Sequence, residues 1–86
     1  MSKATTTTNH DEIRKWAEER DGHPAVVRTQ QPGGILRIDF GEPEEALEQI
    51  DWDEFFEIFE NNRLAFLHQD QAGGSTSRFN KFVERD

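Results

Sequence analysis

The side chains with most scope for chemistry are five carboxylates in one short stretch, Asp51, Asp53, Glu54, Glu57 and Glu60. Paired carboxylates perform glycoside hydrolysis, and clustered ones hold hard cations. The spacing favours neither. On a helix Asp53, Glu57 and Glu60 fall at i, i+4 and i+7 and share one face, the pattern of a solvated helix surface. Asp51 and Asp53 do not open a calcium loop, because the third acidic position and the invariant glycine are missing. His10, His23 and His68 are the remaining acid–base candidates, and their spacings match no zinc motif. His10 falls at a helix start and His23 in a Gly/Pro turn. His68 falls in an apolar strand that could line a groove, and would need a nearby carboxylate to act. Ser75, Thr76 and Ser77 lack the G-x-S-x-G context of an activated serine. The run Gly73-Gly74-Ser75-Thr76-Ser77 has the glycines of a phosphate loop but not its Lys-[ST] ending. It reads as a connector, and a small anion bound there would meet Arg78 and Lys81. No cofactor and no metal is expected, and the chain reads as a non-enzyme.

Charge points in a different direction. The 86 residues carry 18 acidic and 10 basic side chains, a formal net charge of −8. Such a balance opposes general attachment to nucleic acid or anionic membrane. The imbalance is local, however. Residues 41–60 hold 9 acidic and no basic groups, whereas residues 1–40 are balanced at 6 of each. A basic face built from Arg14, Lys15, Arg28, Arg37 and Arg78, with Lys81, therefore stays open. There is no cysteine, which removes disulfides and thiolate chemistry. No apolar run approaches a membrane span and no charged-then-apolar leader opens the chain, so a soluble, cytoplasmic protein is expected.

The elements that must position these groups follow from apolar spacing. MSKATTTT lacks periodicity, and residues 1–8 are expected to form a disordered tail ahead of one domain over 9–86. Asn9 with Glu12 three residues on marks a helix start, and Ile13, Trp16 and Ala17 give its buried stripe. Gly22 is expected to end that helix in the left-handed conformation, with Pro24 preventing resumption. Residues 25–29 and 35–40 read as a hairpin about the turn Gln31-Pro32-Gly33-Gly34. Gly41 to Glu45 reads as a loop and Ala46 to Ile50 as a brief helical turn. Asp51, Glu54, Ile50 and Phe55 then satisfy a capping box and a hydrophobic staple together. Trp52, Phe55, Phe56 and Phe59 form the stripe of the helix they open, and Asn61-Asn62 can end it. Residues 64–69 read as a buried strand. Phe79, Phe82 and Val83 favour a last helix capped by Ser77, with a strand as the alternative, since Phe79 and Val83 also fit a period of two. Trp16, Phe55, Phe59 and Phe66 are the expected core. One of Phe56, Phe79 or Phe82 left exposed would mark a partner-binding patch.

The strings HDEIRKWAEERDGHPAVV, ILRIDF, LEQIDWDEFFEIFE, LAFLHQD and SRFNKFV resemble a group of small, uncharacterised bacterial proteins of about this length, over nearly the whole chain from His10 to Arg85. Such sequences often carry the automatic label 1,4-α-glucan branching enzyme. Size excludes that activity: branching enzymes use (β/α)8 barrels, which need roughly 200 residues or more. The resemblance implies no activity and no functional residues.

The expected fold is a single compact α+β domain in the order α-β-β-α-β-α, with a three-stranded, mainly antiparallel sheet packed against helices. The expected function is that of a non-enzymatic interaction or regulatory module. Its acidic helix, through Asp53, Glu57 and Glu60, would meet a protein partner with a basic surface. The alternative is a small nucleic-acid-binding domain using Arg14, Lys15, Arg28, Arg37 and Arg78. A small enzyme acting through His68 is the third reading. Oligomeric state is not readable from the sequence.

Overall fold

A computed structural model describes residues 4–28, 34–41, 46–72 and 75–85. The elements are β1 (Ala4–Thr7), α1 (His10–Glu18), β2 (His23–Val27), β3 (Ile35–Asp39), β4 (Leu47–Gln49), α2 (Trp52–Asn61), β5 (Leu64–Gln69), β6 (Gln71–Ala72), β7 (Ser75–Thr76) and β8 (Asn80–Glu84).

Both helices begin where side-chain acceptors satisfy the first free amides. The Glu12 N–H donates to Asn9 Oδ1 at 2.9 Å, and the Glu54 N–H to Asp51 Oδ1 at 2.8 Å. The second half of the capping box at α2 is replaced, because the Glu54 carboxylate accepts from Arg28. Each helix ends on a left-handed residue, though not the expected one. Asp21 (φ 57°) and Arg63 (φ 51°) take that conformation rather than Gly22 or the two asparagines. Gly22 is needed for close packing instead: a Cβ there would stand 2.6 Å from Ile38 Cγ2.

The strands form two three-stranded antiparallel sheets, ordered β3-β2-β4 and β1-β5-β8, and a two-stranded ribbon of β6 and β7. The α+β class and the hairpin of β2 and β3 agree with the sequence. The single sheet and the order α-β-β-α-β-α do not. Residues 4–7, expected in a disordered tail, form β1, which pairs with β5 from Ala4↔Gln69 to Thr7↔Phe66. Threonine is β-branched and suits an extended strand, but three of the four residues are exposed, so no apolar alternation announced it. Within residues 46–50, where a helical turn was expected, β4 pairs with β2. Within residues 77–85, where a helix was favoured, β8 forms along the second side of β5. Phe82 then packs against Phe66, ring centroids 5.2 Å apart. The turn at residues 31–33, the loop at 42–45 and the glycines at 73–74 lie outside the described residues.

One apolar cluster joins both helices to both sheets. Ile13 and Trp16 come from α1, Val26, Leu36 and Ile38 from β2 and β3, Phe55 and Phe59 from α2, and Phe66 from β5. Full burial of a large side chain contributes about 1.5–3 kcal/mol, and the four aromatics expected in the core are all here. No helix among the described residues is long and apolar enough to cross a membrane.

Candidate functional site

Two strand edges define the most distinctive surface. Pro24 sits in the central strand of its sheet, and its carbonyl accepts from the Ile50 N–H at 3.1 Å. Pro24, and by alternation Val26, thus turn toward β4. The same alternation turns the backbone groups of His23, Ala25 and Val27 toward their β3 partners Asp39, Arg37 and Ile35. The N–H and C=O groups of Leu36 and Ile38 consequently point away from β2. In the other sheet the Arg85 N–H donates to the Arg63 carbonyl at 2.8 Å. The same alternation leaves the backbone groups of Asn80 and Phe82 pointing away from β5. Among the described residues no strand pairs with either outer edge.

These edges border one groove with two lobes, of about 310 and about 250 Å³, and Arg37 and Asn80 line both. Every residue of β3, Ile35 to Asp39, and Phe40 after it line the groove. Successive side chains of a strand point to opposite faces, so this unbroken run places the outer edge of the strand in the lining, and Leu47 of β4 also lines the larger lobe. Ile35 to Arg37 face residues 80–82, and Arg37 to Phe40 face residues 78 and 80. Hence β3 and β8 run past each other in opposite directions.

The groove is basic within an acidic chain. Arg37, Arg78 and Lys81 line it and are exposed. The Arg78 guanidinium lies 5.3 Å from the Phe40 ring centroid. Among the described residues, Asp39 is the one acidic side chain in the lining. Its carboxylate accepts from the Gly41 N–H at 2.7 Å and from Gln49 Nε2 at 3.1 Å, bonds that hold its pKa below the ordinary value. Ile35 in the lining is 46% exposed, and Phe79, between the lining residues Arg78 and Asn80, is 48% exposed. Buried hydrophobics fill the cluster beneath, which makes these two open apolar side chains informative.

The expected site residues separate. Asp53 and Glu57 are exposed on α2. Glu60 is engaged within the chain: Arg85 donates to both its oxygens at 3.0 and 3.1 Å, and His10 Nε2 lies 2.7 Å from Oε2. Those contacts, Arg85 first, lower its pKa to about 2. The five cations do not share a face. Arg14 pairs with Glu18 one helical turn away. Arg28, at the end of β2, bridges Glu48 and Glu54. Lys15 lines a different groove on α1. Arg37 and Arg78 alone of the five come together, and Lys81 joins them. Their positions on two strand edges from different sheets explain why no spacing in the sequence grouped them.

The other groove, of about 570 Å³, lies beside α1 and contains Lys15, Glu12, Glu19, His68 and Asp70 around Arg20. Arg20 is 8% exposed. Its guanidinium donates to the backbone carbonyls of Ser77, Trp16 (2.9 Å) and Asp70 (2.8 Å), and lies 4.3 Å from the Trp16 ring centroid. Burial lowers its pKa, against the opposing pull of Glu19 and Asp70. Sequence reading passed over this residue, although Arg20 continues the Ile13, Trp16, Ala17 stripe at i+7. His68 Nδ1 is buried with no hydrogen-bond partner among the described residues, and Asp70 Oδ1 stands 3.8 Å from it. Among the described residues no three His, Asp or Glu side chains gather closely enough to hold a metal ion.

Compared with known proteins, the chain matches no family model, no curated protein and no solved structure.

Proposed function

We propose that this protein is a non-enzymatic interaction module that binds a protein partner through the groove between β3 and β8. The observation that carries this reading is the coincidence of two outward-facing strand edges with Arg37, Arg78, Lys81 and the exposed Ile35. Interfaces favour arginine and aromatic anchors at their centres. Exposed backbone donors and acceptors add a recognition mode that needs no side-chain code. The Asp53 and Glu57 face of α2 is the smaller candidate surface, because Glu54 and Glu60 are already engaged within the chain.

Nucleic-acid binding is the second reading, favoured by the convergence of Arg37, Arg78 and Lys81 beside the Phe40 ring. Fluorescence anisotropy with labelled acidic peptides, basic peptides and single- and double-stranded oligonucleotides separates the two. Peptide binding lost in Arg37→Ala/Arg78→Ala protein is the expected result. Oligonucleotide binding alone, weakening with added salt, would transfer the groove to the second reading. Binding of no probe would remove the groove as a binding site.

A further inference from the structure

The exposed backbone of β3 sets a geometry for the partner, and the groove's charge sets its chemistry. Resting on the interaction reading above, we infer that the occupant is an extended acidic peptide segment that adds as a strand to the β3 edge. Four features of the groove meet in this assignment. Leu36 and Ile38 direct N–H and C=O groups outward, the alternating donor and acceptor pattern that a further antiparallel or parallel strand would complete. The lining from Ile35 to Phe40 gives an edge about 17 Å long at the usual rise per residue, enough for a segment of roughly five or six residues. Arg37 stands on the β3 side of the groove and Lys81 on the β8 side, so outward-facing side chains of an inserted strand would lie between cations. Cross-strand neighbours of opposite charge are favourable, and like charges are not. The one carboxylate in the lining among the described residues, Asp39, is already bonded to Gly41 and Gln49.

Charge also selects among occupants. A strand of net negative charge is repelled by the chain as a whole, at −8, and attracted at this groove, which confines it to one place. Ile35, exposed at the end of the groove, offers an apolar anchor for one alternate side chain of the same strand. The inserted segment therefore combines acidic residues on its outward face with at least one β-branched or aliphatic residue.

The test uses the full chain and four labelled eight-residue probes: alternating Glu and Val, alternating Lys and Val, and the Glu–Val peptide with alternate backbone nitrogens methylated in each of the two phases. Methylation deletes donors on one edge of the peptide while leaving its charge and side chains. The Glu–Val peptide should bind, the Lys–Val peptide should bind at least tenfold more weakly, and methylation on the groove-facing nitrogens should weaken binding at least tenfold. Both methylation phases are made, so that one of them removes the groove-facing set. Arg37→Ala and Lys81→Ala, each checked by circular dichroism for retained structure, should each weaken the Glu–Val peptide about three- to tenfold, an effect that shrinks with added salt.

Equal binding of the plain and both methylated peptides would overturn strand addition and leave the interaction reading standing as an electrostatic one. Equal binding of the Glu–Val and Lys–Val peptides would overturn the acidic assignment. Binding of no peptide by a chain that sedimentation shows to be dimeric, with dimerisation lost in Arg37→Ala, would give the edge to a second copy of this chain and overturn the inference. Binding of none by a monomeric chain would remove both the inference and the reading beneath it.

Discussion

Replacing Arg20 by methionine tests how the ends of α1, β5 and the segment before β8 are held together. The guanidinium is nearly inaccessible at 8% exposure and donates to the carbonyls of Trp16, Asp70 and Ser77. Methionine keeps much of the volume and the contact with Trp16 but supplies no donor. A hydrogen bond to a charged group contributes about 1.5–3 kcal/mol. Three such bonds exceed the net loss, because carbonyls beside the groove on α1 regain water once the guanidinium is gone. We expect Arg20→Met to lower stability by about 3–4 kcal/mol, within the range of about 3–5 kcal/mol seen when a buried charge network is broken. For a chain of this size total stability is about 4–13 kcal/mol, so the variant should remain folded or be near its threshold. The assay is urea unfolding followed by the fluorescence of Trp16 and Trp52. With a slope of about 1 kcal/mol/M the midpoint should fall by roughly 3 M, at unchanged slope. Arg20→Lys should recover less than half of the loss, since an ammonium on a single stem cannot reach three divergent carbonyls. A loss under about 1 kcal/mol for Arg20→Met would refute the reasoning, and would mean that the carbonyls rehydrate without penalty and the clamp is incidental.

Asp51→Ala should cost about 1 kcal/mol by freeing the Glu54 amide, measured in the same urea titration. Gly22→Ala should cost about 1–3 kcal/mol, because the new Cβ overlaps Ile38 Cγ2. Gly41→Ala is its control in a thermal melt: no described residue lies within 4 Å there, and the loss of about 1–2 kcal/mol comes from its φ of 92°. The Glu60 carboxyl is held at about 2 in the folded chain against an ordinary 4.5. Its contribution is present above pH 4.5 and is lost as pH falls toward 2. Thermal midpoints recorded from pH 7 to pH 2 should therefore decline less steeply below pH 4.5 in Glu60→Gln than in the parent. Parallel profiles would contradict that assignment.

The parts of this fold legible in the sequence are those with local causes. Asn9 and Asp51 begin helices through a side chain and an amide three residues on, and both caps are seen in the geometry. The hairpin of β2 and β3 and the burial of Trp16, Phe55, Phe59 and Phe66 also follow from short-range pattern and composition. The parts that were not legible depend on distant partners. Ala4–Thr7 has no apolar face, and only the unfilled edge of β5 makes it a strand. Residues 80–84 carry a spacing compatible with either period, and the second edge of β5 decides for the strand. The same holds for function. Arg37, Arg78 and Lys81 are scattered in the sequence and meet because β3 and β8 lie on either side of one groove. The acidic helix was legible as charge, but the engagement of Glu60 by Arg85 and His10 crosses 25 and 50 residues. Phe79, as one of three candidates, was marked in advance as a patch if exposed, and its exposure is what the structure adds.

The position of β5 has a kinetic consequence. Strands β2, β3 and β4 lie within residues 23–49 and can pair as soon as that stretch leaves the ribosome. The sheet on β5 takes one neighbour from residues 4–7 and the other from residues 80–84, so it cannot close until residue 84 has been made. The pairing of residues 4–7 with β5, such as Ala4 with Gln69, spans most of the chain, and non-local pairing of this kind slows folding. During synthesis the Thr-rich first strand waits with β5 half-dressed, and a nascent chain stalled before residue 80 displays an open, apolar edge from Leu64 to Leu67. That intermediate is where chaperone capture or aggregation of this protein would begin.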